Sequence, residues 1–337
     1  MKAIVCTEPG QLNYITLPEP ELIAGYAILK IKQVNVCGTD LHAFEGTQPY
    51  FNYPRILGHE LAAELVAIDK GEGFSIGDPV TIIPYFNCGG CLACRNGKPN
   101  CCANIKVCGV HIDGGMAEYF TVPTYSLVHN RGIRSEYLAM VEPLAIGAHG
   151  IRRAQVKEGE FVIVVGAGPI GLGTIEFARI AGARVIAIDV NPKRLAFAKK
   201  EMGAEFTIDA LSPGLTETVR EITHGDMASV VIDATGNQKA INNGLNFLGH
   251  GGTYVLIGLQ KADLIFSHPE FHKRETTLMS SRNATREDFD RVIKLIQEGL
   301  IQPSKYISRT VGFDEASSAF NEWKTAPDDM IKLAIRI

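Results

Sequence analysis

The apolar run Phe161–Val165 leads straight into Gly166-Ala167-Gly168-Pro169-Ile170-Gly171, and a helical stretch follows from about Ile170 to Ala181. A continuous run of this kind suits a strand buried on both faces. The pattern G-x-G-x-x-G between a strand and a helix is a turn through which backbone can approach a pyrophosphate. Arg184–Ile188 reads as a second strand ending at Asp189, 18 residues after Gly171. Pro192 suits the first turn of the next helix, expected to run to about Met202. Ser229–Asp233 and Thr253–Ile257 read as further strands, with a helix near Gln238–Leu248 between them. Alternation of this sort, beginning near Gly159, predicts a parallel sheet with helices on both faces.

In that setting the free N–H groups at the helix start hold a pyrophosphate. The Asp189 carboxylate accepts both ribose hydroxyls and repels a 2′-phosphate, which favours NAD over NADP. Arg194, five residues on, offers an adenosine contact that tempers the preference. The plainer alternative is a Gly-rich turn with no ligand.

Before Gly159 the texture differs. Ala27–Val34 alternates, with Leu29 and Ile31 on one face and Lys30 and Lys32 on the other, as in a half-buried strand. Glu60–Ile68 and Pro79–Ile83 look similar, and turn signals at Glu72-Gly73, Gly77-Asp78, Gly89-Gly90 and Gly114-Gly115 separate such runs. This is the pattern of an all-β unit with irregular loops. After Ala284 the strand–helix alternation stops, and Arg286–Glu298 carries Phe289, Val292, Ile293 and Ile296 at helical spacing. We expect this tail to pack on the first unit. That divides the 337 residues into a discontinuous domain, 1–148 with 285–337, and a second domain, 149–284.

Five of the eight cysteines fall between Cys88 and Cys102. Cys88, Cys91, Cys94 and Cys102 form C-x2-C-x2-C-x7-C, and four thiolates from one loop close a tetrahedron around Zn²⁺ with no open position, a structural site. The alternative is an iron–sulfur site, but that motif continues with x3-C-P where this chain has a gap of seven. Cys101 beside Cys102 leaves the register open by one. Cys6, Cys101 and Cys108 read as reduced, partly buried thiols.

Cys37 in C-G-T-D-L-H and His59-Glu60 in G-H-E form a second candidate set. A thiolate, an imidazole and a carboxylate leave one position for water or substrate, the composition of a catalytic zinc site. Taken singly, such residues are more often satisfied core or turn groups. Glu142 adds to the set because it is charged within the apolar run V-E-P-L-A, and carboxylates are rarely buried unless paired or on metal.

Lys+Arg total 33 and Asp+Glu 37, a net charge of −4, which argues against a nucleic-acid or anionic-membrane footprint. The longest apolar stretch, Phe161–Ile175, is too short and too Gly-rich to span a membrane. The N-terminus reaches Glu8 and Pro9 too early for a signal-peptide core, so a cytoplasmic location is expected.

Two zinc-like sets followed by a dinucleotide fingerprint resemble the zinc-dependent medium-chain dehydrogenases. The likeness rests on C-G-T-D-L-H at 37–42, G-H-E at 58–60, the cysteines at 88–102, G-G-M-A-E-Y at 114–119, E-P-L-A at 142–145 and G-A-G-P-I-G at 166–171. The E-P-L-A segment and the Glu after His59 look like the sorbitol and threonine dehydrogenase branch. A narrower resemblance, to bacterial L-galactonate and L-gulonate 5-dehydrogenases, rests on residues 46–55, 109–115, 233–238 and 266–285.

The resemblance implies an α/β plus β architecture: a GroES-like β-rich catalytic domain and a Rossmann domain with a doubly wound parallel sheet. It implies NAD and two Zn²⁺ per chain, and oxidation of a CH–OH donor, a sugar acid or polyol, to a ketone. Cys37 and His59 carry over as catalytic zinc ligands, with Glu60 and Glu142 as remaining candidates, one direct and one through water or exchange. Asp40 is expected to orient His59. Thr39 is expected to take the proton of the substrate hydroxyl and pass it toward His42. Gly166, Gly168, Pro169, Ile170, Gly171, Asp189, Arg194, Thr235, Ile257 and Arg282 form the expected cofactor contacts. A substrate carboxylate needs a cation: Arg282, equally a pyrophosphate candidate, or else His111 or Arg55. Thr276–Ser281 reads as an edge strand able to pair across a subunit boundary, so a homodimer or homotetramer is expected. The rival readings are a neutral polyol, butanediol or L-threonine dehydrogenase, and a non-catalytic NAD-binding metal sensor.

Overall fold

The computed structural model describes residues 1–48, 51–71, 73–325 and 330–337. Glu72 of the expected turn, and Pro49 and Tyr50 of segment 46–55, lie outside these. The chain forms two compact units, Met1–Ala145 with Asn283–Ile337, and Ile146–Arg282. Among the described residues no helix is long and apolar enough to cross a membrane.

The first unit is built on a sheet of seven described strands with Tyr26–Asn35 at its centre. That strand pairs antiparallel with Glu60–Ile68, Tyr119–Pro123 and Lys332–Arg336. Leu29, Ile31 and Val34 are buried while Lys30 and Lys32 are exposed, as the alternation predicts. The end of the strand departs from it: Gln33 and Asn35 are buried and hydrogen-bonded to each other at 3.0 Å. This end of the strand pairs with both Glu60–Ile68 and Lys332–Arg336, so little of it faces solvent. The helix Arg286–Gln297 buries Phe289, Val292, Ile293 and Ile296 on one face. A two-stranded ribbon, Tyr85–Phe86 against Lys106–Val107, closes the cysteine loop at its base.

The second unit is a parallel sheet of six described strands in the order Phe206–Asp209, Arg184–Asp189, Phe161–Val165, Ala228–Asp233, Leu248–Leu256, Thr277–Ser280. The winding reverses at Phe161–Val165, which leaves a switch point at the carboxyl ends of that strand and Ala228–Asp233. Two details differ from expectation. The strand expected at Thr253–Ile257 begins at Leu248, and the preceding α-helix stops at Gly244. Leu248 pairs with Ala228 through a register shift before Val230, which lets the turn-like L-G-H-G-G continue the strand. The strand Phe206–Asp209 and the helix Leu215–Ile222 were not expected, although Leu215, Val219 and Ile222 stand at helical spacing.

Candidate functional site

Cys37 occupies the N-cap of the helix Gly38–Glu45, and His59-Glu60 opens the strand Glu60–Ile68. Asp40, fully buried, ties these two segments together. Its Oδ2 accepts the Cys37 N–H at 2.9 Å and its Oδ1 the Gly58 N–H at 3.0 Å. Gly58 has φ +94°, and a Cβ there would lie 2.7 Å from Val34 Cγ1, so only glycine makes this turn. Donor atoms of Cys37, His59 and Glu60 thereby fall within 4.8 Å of one another.

The surroundings are crowded with charge. Lys332, buried on the last strand, places its Nζ 2.7 Å from Glu60 Oε1 and 3.3 Å from the Val36 carbonyl. Glu142, in the first turn of the helix Val141–Ala154, is buried and accepts the Tyr85 O–H. Burial lifts Glu60 to about 7 against the pull of Lys332, and burial also lifts Glu142. Burial pushes His59 down, but the Asp40 carboxylate and the Cys37 thiol outweigh it and hold the imidazole well above its usual value. Acidic groups here thus outnumber the Lys332 ammonium, and His59 Nδ1 and Glu60 Oε2 are buried without a hydrogen-bond partner. The donor set fits a divalent cation such as Zn²⁺ in both charge and ligand chemistry.

The second set is compact. Sγ of Cys91 lies 3.4 Å from that of Cys94, and Sγ of Cys102 lies 3.5 Å from that of Cys88. Four sulfurs about 2.3 Å from a tetrahedral Zn²⁺ stand about 3.8 Å apart, so the cage needs only a small expansion. None of the eight cysteines is in a disulfide. Backbone N–H groups of Cys88 and Asn104 point at Cys102 Sγ, and those of Ala103 and Cys94 pull Cys91 down to about 6. The register question resolves to Cys102, since Cys101 is exposed and outside the set. Cys101 therefore departs from the expected partly buried thiol, whereas Cys6 and Cys108 are buried.

In the other unit, Gly166 has φ +97° and a Cβ on Gly171 would lie 1.8 Å from the Gly166 carbonyl oxygen. Gly168 is the N-cap, and Pro169 and Ile170 begin the helix Pro169–Ile180 with no side chain capping its N–H groups. Asp189 accepts N–H bonds from Ala167 and Asn191. A Cβ on Gly168 would lie 3.8 Å from Arg194 Nη1, and one on Gly166 would lie 2.8 Å from Thr235 Cγ2. Ile257 donates its N–H to the Asp233 carbonyl at 2.9 Å. These groups gather at the carboxyl ends of the strands, as ligand binding at a switch point requires. Arg282, exposed, closes this unit.

A profile described as an alcohol dehydrogenase GroES-like domain matches residues 24–131, and one described as a zinc-binding dehydrogenase matches residues 169–298. The chain is 44% identical to L-galactonate-5-dehydrogenase of Escherichia coli K12 over 93% of its own length and 92% of that protein. The chain belongs to the zinc-type medium-chain alcohol dehydrogenase family. It is also 33% identical to L-threonine 3-dehydrogenase of Pyrococcus horikoshii, over 95% of this chain and 94% of that one. A crystal structure of an alcohol dehydrogenase (RspB) from E. coli CFT073, complexed with NADH, superposes with a TM-score of 0.93. It covers 100% of this chain and 99% of that one at 31% identity. In a zinc-dependent family, the four-cysteine loop reads as the structural zinc group and Cys37, His59 and Glu60 as the catalytic one, which sets aside the iron–sulfur alternative.

Several of the expected site residues have partners of their own. The His59 Nδ1 to Asp40 Oδ1 distance is 3.8 Å, too long for a hydrogen bond, while each Asp40 oxygen accepts a backbone N–H. Glu142 lies outside the three-donor set. His42 is exposed and its Nδ1 bonds Thr47 Oγ1 at 3.0 Å; no bond links it to half-buried Thr39. Arg55 is turned to Asp113 at 3.3 Å, and His111 Nδ1 accepts the Val107 N–H, so both are engaged within the first unit. Two buried residues at the site were missed, Lys332 and Tyr85. Lys332 had one signal, a cation inside the apolar stretch I-K-L-A-I.

Proposed function

We propose that this chain is an NAD-linked dehydrogenase that oxidises the C5 hydroxyl of a sugar acid, L-galactonate or L-gulonate, to the ketone. The chemistry rests on the buried thiol, imidazole and carboxylate of Cys37, His59 and Glu60. The substrate class is supported by the 44% identity to a protein named L-galactonate-5-dehydrogenase. When bound, the metal supplies Lewis acidity toward the substrate hydroxyl and the dinucleotide supplies the hydride acceptor.

The residues of this chain have distinct tasks in that reading. Cys37, His59 and Glu60 hold the metal, and Asp40 fixes the backbone that presents the first two. Lys332 holds one Glu60 oxygen and leaves the other for ligation. Thr39, next to Cys37's helix start, takes the hydroxyl proton, and His42, one helical turn on, passes it to solvent. Gly166, Gly168 and Gly171 let the dinucleotide approach the helix start, and Asp189 selects the unphosphorylated ribose. Residues 149–284 serve as the cofactor domain and 1–148 with 285–337 as the catalytic one. The edge strand Thr277–Ser280 suits pairing with a second copy of the chain.

The test is a panel of L-galactonate, L-gulonate, sorbitol, 2,3-butanediol and L-threonine with NAD and NADP, followed at 340 nm. The aldonates should exceed the neutral polyols by about tenfold or more in kcat/KM, the usual worth of a charge-assisted hydrogen bond. Preference for threonine or a neutral polyol overturns the substrate assignment, and cofactor binding without turnover on any of them returns the sensor reading. In the same assay Arg282→Lys should raise KM for an aldonate far more than for a polyol; equal losses on both would reject carboxylate recognition by Arg282. Gly171→Ala should weaken NADH binding by about 10²-fold, because its Cβ displaces the turn by more than an ångström. Fluorescence titration of NADH measures this, and unchanged affinity would count against the loop as the pyrophosphate site.

A further inference from the structure

Asp233 is fully buried at the carboxyl end of the strand Ala228–Asp233, paired with Val165 on one side and Leu256 on the other. None of the tasks above falls to it. A carboxylate inside a sheet is costly to bury and is usually matched by a cation or a metal. Among the described residues its side chain meets hydrogen-bond donors and no cation. Its Oδ1 accepts the N–H groups of Thr235 and Gly236, each at 3.1 Å, and its Oδ2 accepts the Thr235 hydroxyl at 2.8 Å. That hydroxyl in turn accepts the Asn237 N–H at 2.9 Å. The main-chain carbonyl of Asp233 takes the N–H groups of Ile257 and Gly258 at 2.9 and 3.1 Å. Side chain and main chain of one residue thus tie down loops 234–237 and 257–259.

These loops leave no slack where they meet. Gly236 has φ +60°, and a Cβ on it would lie 2.6 Å from the Leu259 carbonyl oxygen. A Cβ on Gly258 would lie 2.1 Å from the Gly236 nitrogen. On its other side, loop 234–237 abuts the glycine turn: Ala234 donates its N–H to the Val165 carbonyl at 2.8 Å, and the Thr235 methyl fills the space a Cβ on Gly166 would need. An apolar residue of similar size would pack in the sheet, but it would strip Thr235 and Gly236 of their acceptor. Glycine is the freest residue of such a loop, so the left-handed turn at Gly236 depends on those bonds for its shape.

We propose that Asp233 is a positioning residue for the dinucleotide: its carboxylate sets loop 234–237, and through it the packing of 257–259, in the arrangement the cofactor meets beside the Gly166 turn. The proposal rests on the reading that Gly166, Gly168 and Gly171 let the dinucleotide approach the helix start. Being fully buried, Asp233 acts through the loops and not by contact.

The experiment titrates the full chain with NADH by fluorescence, alongside thermal denaturation of the same samples. Asp233→Val removes the side-chain bonds and keeps those of the main chain. A loop that adopts the binding arrangement only part of the time raises the apparent Kd by the inverse of that fraction, an expected loss of about tenfold. Asp233→Asn keeps an acceptor for the two N–H groups and should recover most of the affinity. Gly236→Ala strains the same loop without touching the carboxylate and should weaken NADH as Asp233→Val does. A merely structural Asp233 would lower Tm and leave NADH affinity alone, and that result in Asp233→Val overturns the proposal. Equal losses in Asp233→Asn and Asp233→Val overturn it too, since charge and not turn geometry would then be at work. Should Asp233→Val not fold, unchanged affinity in Gly236→Ala overturns it. A wild-type chain that binds no NADH overturns the cofactor reading itself, a separate and recognisable result.

Discussion

Replacing His59 by alanine should lower turnover by about 10³-fold or more and reduce bound zinc from two ions per chain to one. His59 supplies the one imidazole of the three-donor set, and its ring is buried against Asp40 and Cys37. Without it a thiolate and a carboxylate remain, too few to retain Zn²⁺ against water. A metal held by this set would supply several kcal/mol of Lewis-acid stabilisation to the substrate oxygen, and about 4 kcal/mol corresponds to that factor in rate. The four-cysteine loop shares no ligand with this set, so its ion should stay. Metal analysis of the purified variant, together with NADH formation at 340 nm, decides the matter. Two retained zinc ions, or activity within tenfold of wild type, would refute the assignment of His59.

Lys332→Met should destabilise the protein by about 3 kcal/mol, the low end of the cost of removing one member of a buried ion pair. The Lys332–Glu60 pair is buried at both ends with a 2.7 Å separation, and Lys332 also donates to the Val36 carbonyl. Methionine fills a similar volume but leaves Glu60 facing apolar surroundings. The low end applies because burial already lifts Glu60 to about 7, so protonation limits the penalty. For a unit of some 200 residues this corresponds to a drop in Tm of about 6–12 °C. Thermal denaturation of the metal-free protein measures it, and Glu60→Gln in the same chain should recover most of the loss. A change below about 1 kcal/mol would show that the pair carries little of the stability.

The parts of the site that were legible share one property: each is local in the chain. The C-x2-C-x2-C-x7-C spacing lies within a single loop, so four thiols close on one another whatever surrounds them. The glycine turn lies between a strand and the helix it starts, and Gly171 meets the Gly166 carbonyl oxygen through its own local geometry. Leu29 and Ile31 turn inward because alternate residues of a strand face one side. Cys37, His59 and Glu60 were readable as candidate ligands from residue type and neighbours.

Tertiary structure alone decided how those candidates are used. Lys332 meets Glu60 across 272 residues because the last strand pairs antiparallel with Tyr26–Asn35, setting Ala334 opposite Asn35 and bringing Lys332 Nζ to the Val36 carbonyl. Tyr85 reaches Glu142 because the base of the cysteine loop packs against Arg286–Gln297. Asp40 spends both oxygens on backbone N–H groups of Cys37 and Gly58, a choice invisible in C-G-T-D-L-H because one donor comes from another segment. Spacing along the chain specifies which groups can share a turn or a loop. Which buried charge finds which partner depends on strand register and on burial, and both exist only once distant segments have come together.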